Sequence, residues 1–328
     1  MKICIYGAGA IGGHLAARLA KGGAEVSVVA RGAQLAAIRE RGLTVRAPDG
    51  DLHCRPAASD DPAALGPQDA VIVTVKAPSL PQVAQGIGPL LREDTAVAFV
   101  MNGIPWWYFD HHGGSLEGRR LPELDPGDAV RTAVGLGRTV GGVVYSACTV
   151  IEPGVIVTEH ANNRVFLGRP DGGPSPQAEG IAAALRGGGF TSKVVDDIRR
   201  EIWAKLLGNL TSGPICVLTR HPLLTALEEP AIVAARSAIA REGVAITKAL
   251  GLELPAETMA TIEGFRGSRH KPSILQDLEL GRPMEVDALL NVPLQLARMA
   301  KVETPTLDLL VAMVRKVAES AGLYRPAA

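Results

Sequence analysis

KICIYGAGAIGGHLAARLAKGGAEVSVVAR, residues 2–31, is the stretch whose reading decides the fold. Lys2 to Tyr6 is a short apolar run that stops at Gly7, and Ala10 to Lys21 has helical spacing and good helix formers. Gly22-Gly23 ends that helix, and Glu25 to Val29 is a second apolar run. Strand, glycine turn, helix and strand in this order form the first βαβ unit of a doubly wound parallel sheet. Inside it, Gly7-Ala8-Gly9-Ala10-Ile11-Gly12 has glycine wherever a dinucleotide fold requires one. Gly7 permits the tight turn, Gly9 lets the backbone approach a pyrophosphate, and Gly12 lets helix and strand pack closely. The amides at the helix start then face the phosphates, aided by the helix dipole. Because the glycines follow a strand and open a helix, dinucleotide binding is favoured over a plain structural turn. The stretch also has the outline of a secretory leader, with Lys2 ahead of an apolar run. Glycines interrupt that run by Gly13 and charge returns at Arg18 and Lys21, so the expectation is a cytoplasmic protein.

The second strand selects the cofactor. An NAD site places Asp or Glu about 20 residues beyond the glycines to hold the ribose 2′-hydroxyl. Here the strand ends in Ala30-Arg31 without an acid. A guanidinium suits a 2′-phosphate through charge-assisted, bidentate bonds, so NADP (NADPH) is the expected cofactor. Ala70 to Val75 and Ala96 to Val100 are further near-continuous apolar runs, as in strands buried on both faces. Lys76 follows the first directly, and Asn102-Gly103 follows the second after Met101. Both therefore stand at the edge where an open α/β sheet binds its ligands.

Beyond Val140 the texture changes to short runs, Gly141 to Ser146, Gly154 to Thr158 and Arg164 to Gly168, which read as antiparallel strands joined by turns. A helix and one more strand, Ser192 to Val195, complete this part. From Asp196 onward the pattern is helical, over about 196–210, 231–250, 256–265, 286–300 and 304–321. The expected organisation is an α/β, Rossmann-like NADP-binding domain over 1–195 and an all-helical substrate and dimerisation domain over 196–328.

The bulk numbers agree with two globular domains. The 328 residues include 47% hydrophobic ones, and 34 basic side chains balance 34 acidic ones. Such a balance gives no electrostatic footprint for nucleic acid, and no apolar run approaches the ~20 residues that span a bilayer. The four scattered cysteines lack metal-ligand spacing. Asp110-His111-His112 has glycines around it and no second ligand group, so no metal site is expected.

The chemistry concentrates in the helical part. Lys205 and Asn209 are four residues apart and share a helix face, with Ile202, Leu206 and Leu207 as apolar neighbours. Partial desolvation there would make the lysine a competent proton donor, although a snorkelling lysine looks the same in sequence. Ser273-Ile-Leu-Gln-Asp277 and Gly281-Arg-Pro-Met-Glu285 place two acids among apolar residues. Four of the chain's 12 aromatic residues stand together at Trp106 to Phe109. They read either as core or as an apolar lid leading into the loop to Val130.

Taken together these positions resemble the ketopantoate reductase (2-dehydropantoate 2-reductase) family nearly end to end. The motifs in order are GAGAIG with Arg31, VKA at Lys76, MNG at Asn102, EPG at Glu152 to Gly154, KLLGN at Lys205 to Asn209, and SILQD with Glu285. The resemblance implies NADPH-dependent reduction of a 2-oxo acid to a 2-hydroxy acid, most simply 2-dehydropantoate to pantoate. It implies Lys205 as proton donor, Asn102 beside nicotinamide and substrate, Asn209 and Ser273 on the substrate, and Lys76 and Glu285 on the cofactor. The chain departs from the family pattern at Gly213, Leu223 and His270, where asparagines are usual. A reductase of another, bulkier 2-oxo acid therefore stands as an alternative, and a non-catalytic NADP-binding sensor as a second. The apolar C-terminal helices suit pairing in a homodimer.

Overall fold

The structure, a computed structural model, describes residues 1–326. Contacts divide the chain into two compact units, Met1–Met101 with Pro105–Ile198, and Asn102–Ile104 with the residues from Arg199 onward. The division falls three residues beyond the expected 195, and the tripeptide Asn102–Ile104 belongs with the helical unit rather than with the sheet it leaves.

The first unit is built on an eight-stranded sheet in the order β12-β11-β8-β7-β6-β1-β2-β5. Its strands are β1 (Lys2–Tyr6), β2 (Glu25–Val29), β5 (Ala57–Ser59), β6 (Ala70–Val73), β7 (Ala96–Val100), β8 (Thr139–Tyr145), β11 (Arg164–Gly168) and β12 (Thr191–Val194). All neighbours pair parallel except β8 with β11. A second sheet, in the order β4-β3-β10-β9, comprises β3 (Leu43–Arg46), β4 (Leu52–Cys54), β9 (Cys148–Glu152) and β10 (Val155–Thr158). The helices of this unit are α1 (Ala10–Lys21), α2 (Gly32–Arg41), α3 (Leu80–Gly86), α4 (Ala129–Val134) and α5 (Pro176–Gly187). A Cβ on Gly13 would overlap Ile156 of β10, so α1 packs closely on the small sheet.

The strands beyond Val140 do not form one antiparallel group. β8 is buried almost throughout and extends the parallel sheet, whereas the β9–β10 hairpin goes to the small sheet. The expected strand at 70–75 ends at Val73, and the Thr74 amide makes the last rung of its ladder with β1, donating to the Tyr6 carbonyl at 3.0 Å. The aromatic run is core: Trp106, Trp107, Tyr108 and Phe109 are all buried. Gly141 makes room for it, since a Cβ there would stand 2.6 Å from the Trp107 ring. Asp110 is held by Arg131 at 2.9 Å, and His111 and His112 join no cluster of three metal-ligating side chains among the described residues.

The second unit consists of α6 (Ile198–Leu210, whose first residue lies in the first unit), α7 (Gly213–Thr219), α8 (Leu223–Ala226), α9 (Pro230–Ala249), α10 (Thr258–Gly264), α11 (Ser273–Glu279), α12 (Val292–Met299) and α13 (Pro305–Ser320). The expected continuous helix over 286–300 is instead interrupted by a π turn at Asp287–Asn291. Pro293 is the reason. It has no N–H, and its ring clashes with the carbonyl four residues back, so the helix widens there. No helix among the described residues is long and apolar enough to cross a membrane.

A buried polar network ties α1 to the β3–β4 hairpin. Arg18, 1% exposed, donates to both carboxylate oxygens of Asp49 at 2.7 Å and to His14 Nε2 at 3.2 Å. His14 Nδ1 lies 3.0 Å from Ser146 Oγ. Burial, reinforced by the Arg18 charge, pushes the His14 imidazole down to about 4 from its ordinary 6.5. The Arg18 hydrogen bonds hold Asp49 down at about 2. Between pH 6.5 and about 4 the unfolded chain carries a proton on His14 that the folded chain lacks. Stability therefore falls as pH falls through that window, at up to ~1.4 kcal/mol per unit. The Asp49 contribution, present above pH 3.8, is lost next as pH falls towards 2. Thermal unfolding followed from pH 7 to 4 should show a steeper acid decline in the native protein than in His14→Gln. Superimposable slopes would show that His14 is not held neutral by the fold.

Candidate active site

The parallel sheet brings the glycine turn, Arg31 and Lys76 to one edge, because β1, β2 and β6 all run towards it. Gly7 adopts φ +104°, donates its N–H to the Val29 carbonyl at 3.0 Å, and leaves only 2.7 Å between a would-be Cβ and Val75. A Cβ on Gly12 would overlap the Gly7 carbonyl, which also accepts from Thr74 Oγ1 at 2.6 Å. Gly9 caps α1 and faces open space, with nothing within 4 Å of a would-be Cβ. Two glycines thus serve packing and the third keeps the helix start clear, as a pyrophosphate cradle requires. Ala8 is buried, whereas Ala10 and Ile11 are partly exposed in the first turn of α1.

Arg31 caps α2 at the end of β2, is exposed, and makes no ion pair among the described residues. Lys76 is half-buried and caps the short turn after β6. A residue unmarked by sequence reasoning, Gln34, fastens this edge. Its Nε2 donates to the Ala8 carbonyl at 2.7 Å, and its Oε1 accepts the Gly154 N–H at 3.0 Å. The Glu152-Pro153-Gly154 turn thereby braces the glycine loop. Nothing in the pattern near Gln34 signals this, because its partners are 26 and 120 residues away.

In the helical unit the decisive pair is Lys205 and Asn102. Lys205, half-buried on α6, donates from Nζ to Asn102 Oδ1 at 2.7 Å. Asn102 is held through the two residues that follow it. Gly103 has φ +83°, and a Cβ there would stand 2.5 Å from the Ala288 carbonyl carbon. Ile104 donates its N–H to the Ala288 oxygen at 3.0 Å. That oxygen is available because of the π turn. In an α-helix it would take the Val292 N–H, but Val292 donates to Asp287 instead, and the residue that follows is Pro293. The glycine of the Met-Asn-Gly motif is thus explained by its approach to a helix backbone.

Glu285 lies just ahead of this turn and is buried, at 7% exposed, as is Asp277, at 5%. Asn209 is one turn beyond Lys205 and half-buried, while Ser273 opens α11 and is exposed. Two of the three departures from the expected pattern are buried packing positions. A Cβ on Gly213 would stand 3.3 Å from Ile274, so α7 meets α11 closely. Leu223 is 4% exposed. His270 is half-buried in the loop ahead of Ser273 and donates its backbone N–H to Ser268 Oγ at 2.9 Å.

Comparison with known proteins settles the family. The family model described as "Ketopantoate reductase PanE/ApbA" matches residues 3–172, and its C-terminal counterpart matches residues 197–318. The chain belongs to the ketopantoate reductase family. It is similar to the 2-dehydropantoate 2-reductase of Mesorhizobium japonicum, at 43% identity over 99% of this chain and all of that one. A candidate ketopantoate reductase from Ralstonia solanacearum MolK2 has a solved structure that superposes with a TM-score of 0.88 at 39% identity, covering 98% of this chain and 99% of that one. A D-mandelate dehydrogenase, solved with NADH and anilino(oxo)acetate, shares the fold at a TM-score of 0.82 and 22% identity, over 99% of this chain and all of that one.

As a ketopantoate reductase family member the chain is an oxidoreductase that works with a nicotinamide cofactor on a small oxo acid, which sets aside the sensor reading. Gly103→Ala tests the backbone arrangement in this protein. A left-handed conformation costs an L-residue ~1–2 kcal/mol, and the added Cβ would meet the Ala288 backbone rather than the end of a flexible side chain. The substitution should lower Tm by about 2 °C or more, measured by calorimetry. A change within 1 °C would contradict the close approach.

Proposed function

We propose that this oxidoreductase uses NADPH to reduce a 2-oxo acid to the 2-hydroxy acid, with 2-dehydropantoate becoming pantoate on the route to pantothenate. The observation that carries the reading is the 2.7 Å hydrogen bond from Lys205 Nζ to Asn102 Oδ1. It joins the two residues to which the family resemblance attaches the chemistry. The bound nicotinamide supplies the hydride. As the ketone oxygen gains negative charge, the Lys205 ammonium stabilises it and then transfers a proton to it, leaving a neutral amine that is reprotonated from solvent. An ammonium has three donors, so holding Asn102 does not exhaust it. Asn102 keeps the lysine aimed, and alignment of this kind is a large part of a hydride-transfer enzyme's contribution.

In this reading the amides of Gly7 to Gly12 hold the pyrophosphate, Arg31 the 2′-phosphate, and Lys76 and Glu285 other parts of the cofactor. Asn102, Asn209 and Ser273 hold the substrate. Arg31 supports NADP because it is an exposed guanidinium at the end of β2 where no acid competes. A second reading keeps the reaction and changes the substrate to a bulkier, more apolar 2-oxo acid. Gly213 and Leu223 favour it, since both are buried and neither has a polar side chain to offer, and a site without polar partners does not reward a substrate hydroxyl. The fold neighbour solved with anilino(oxo)acetate is consistent with it. Initial rates with NADPH over a panel of 2-oxo acids separate the two readings. A rate on 2-dehydropantoate well below that on a branched or aromatic oxo acid selects the second.

Lys205→Ala should lower kcat by a hundredfold or more on the best substrate, with the Kd for NADPH changed less than threefold in a fluorescence titration. Near-normal turnover would remove Lys205 from the mechanism. Arg31→Ala should raise the Kd for NADPH at least tenfold and that for NADH less than twofold. Equal losses would refute the 2′-phosphate role.

A further inference from the structure

The π turn that receives Ile104 is itself locked by three side chains. Tyr324 donates its hydroxyl to Asp287 Oδ1 at 2.7 Å, and Asn291 Nδ2 donates to the same oxygen at 2.7 Å and to the Tyr324 hydroxyl at 2.9 Å. Each of the three groups bonds to the other two, forming a closed cycle. Asp287 and Asn291 are the first and last residues of the turn, so the cycle spans it. Next to Tyr324, the Leu323 carbonyl accepts the Met284 N–H at 3.0 Å. The segment following α13 is thus fastened both ahead of the turn and across it. All three side chains are half-buried, where a hydrogen-bonded cycle resists solvent better than on an open surface.

Burial and the Asp287 carboxylate push the Tyr324 phenol far above its ordinary range, so it stays a donor at any working pH. A π turn is a weak segment by itself, because its wide geometry gives up regular helix bonding. A device that spans it therefore determines where the Ala288 carbonyl points. That carbonyl holds Ile104 and admits Gly103, and Asn102 next to them holds Lys205.

We propose that Tyr324, with Asp287 and Asn291, is a positioning residue for the reduction, acting through the Ala288 carbonyl on Asn102 and so on the Lys205 ammonium. The C-terminal segment is on this account part of the active-site framework, although it touches no reacting atom. The inference rests on the reading of Lys205 and Asn102 given above.

The test compares native protein, Tyr324→Phe, Asn102→Ala and the double variant, with NADPH and the best 2-oxo acid of the panel, alongside Lys205→Ala. Tyr324→Phe keeps the ring and removes the hydroxyl. It should lower kcat about tenfold with the KM for NADPH changed less than twofold. In the Asn102→Ala background the same change should cost less than twofold, because the group it acts through is gone. A merely structural role would cost the same factor in both backgrounds, and that result overturns the proposal. If Tyr324→Phe does not fold to a cooperative Tm, Asn291→Ala, which opens the same cycle, is carried through the same comparison with the same criteria. Lys205→Ala separates the two levels. Normal turnover there defeats the functional reading itself. A collapse there, with Tyr324→Phe and Asn291→Ala both at native kcat, defeats only the positioning role.

Discussion

The helical unit is organised around a carbonyl that its own helix does not use. At Ala288 the helix is wound too wide for the Val292 amide, which bonds to Asp287 instead, and the following amide does not exist because residue 293 is proline. A buried carbonyl without a donor costs free energy, and the Ile104 N–H satisfies it. The chain leaving β7 is therefore drawn onto a helix backbone. Gly103 is required at the point of closest approach, and Asn102 is delivered beside Lys205. One proline and one glycine, 190 residues apart in sequence, together define where the lysine finds its partner.

The glycine loop of the first unit is governed by the same kind of constraint, a backbone that must come close to another backbone. Gly12 sits against the Gly7 carbonyl, and Gly7 sits against Val75. Any side chain at either position would separate α1 from the sheet and move the amides at its start. Gln34 then carries the loop's position to the Gly154 turn. The other end of α1 is fixed through Arg18, Asp49 and His14, a buried charge whose partner satisfies both its hydrogen bonds and its electrostatics. The helix whose N-terminus forms the candidate phosphate cradle is therefore held at both ends by polar contacts in addition to its apolar face.

How much of this could be read beforehand depended on whether the determinant was local. The βαβ unit, Arg31 at the end of β2 and the face shared by Lys205 and Asn209 follow from periodicity and from spacings of a few residues. The short strands β3, β4 and β5 did not, because each has three or four residues and takes its identity from partners far along the chain. The grouping of the later strands is likewise set by distant partners. β8 and β9 differ little in pattern, and burial on both faces rather than one sends β8 to the parallel sheet. Trp106 to Phe109 admit two readings in sequence, core or lid, and the room that Gly141 leaves for Trp107 decides for core. The helix at 286–300 carried its own warning in Pro293, but the proline alone did not say that a π turn would follow.

The sequence by itself determined the α/β class, the dinucleotide signature with its basic second strand, and the family motifs that name Lys205 and Asn102. These are written in residue types and short intervals, and short-range sterics and periodicity decode them. Only the tertiary structure decided that Asn102–Ile104 belongs with the helices, that Lys205 donates to Asn102, that Gln34 braces the glycine loop, and that Tyr324, Asp287 and Asn291 close around the turn carrying Ala288. Those outcomes depend on which buried donor reaches which buried acceptor. Such pairings are set by packing across tens to hundreds of residues, where sequence order carries no information about proximity.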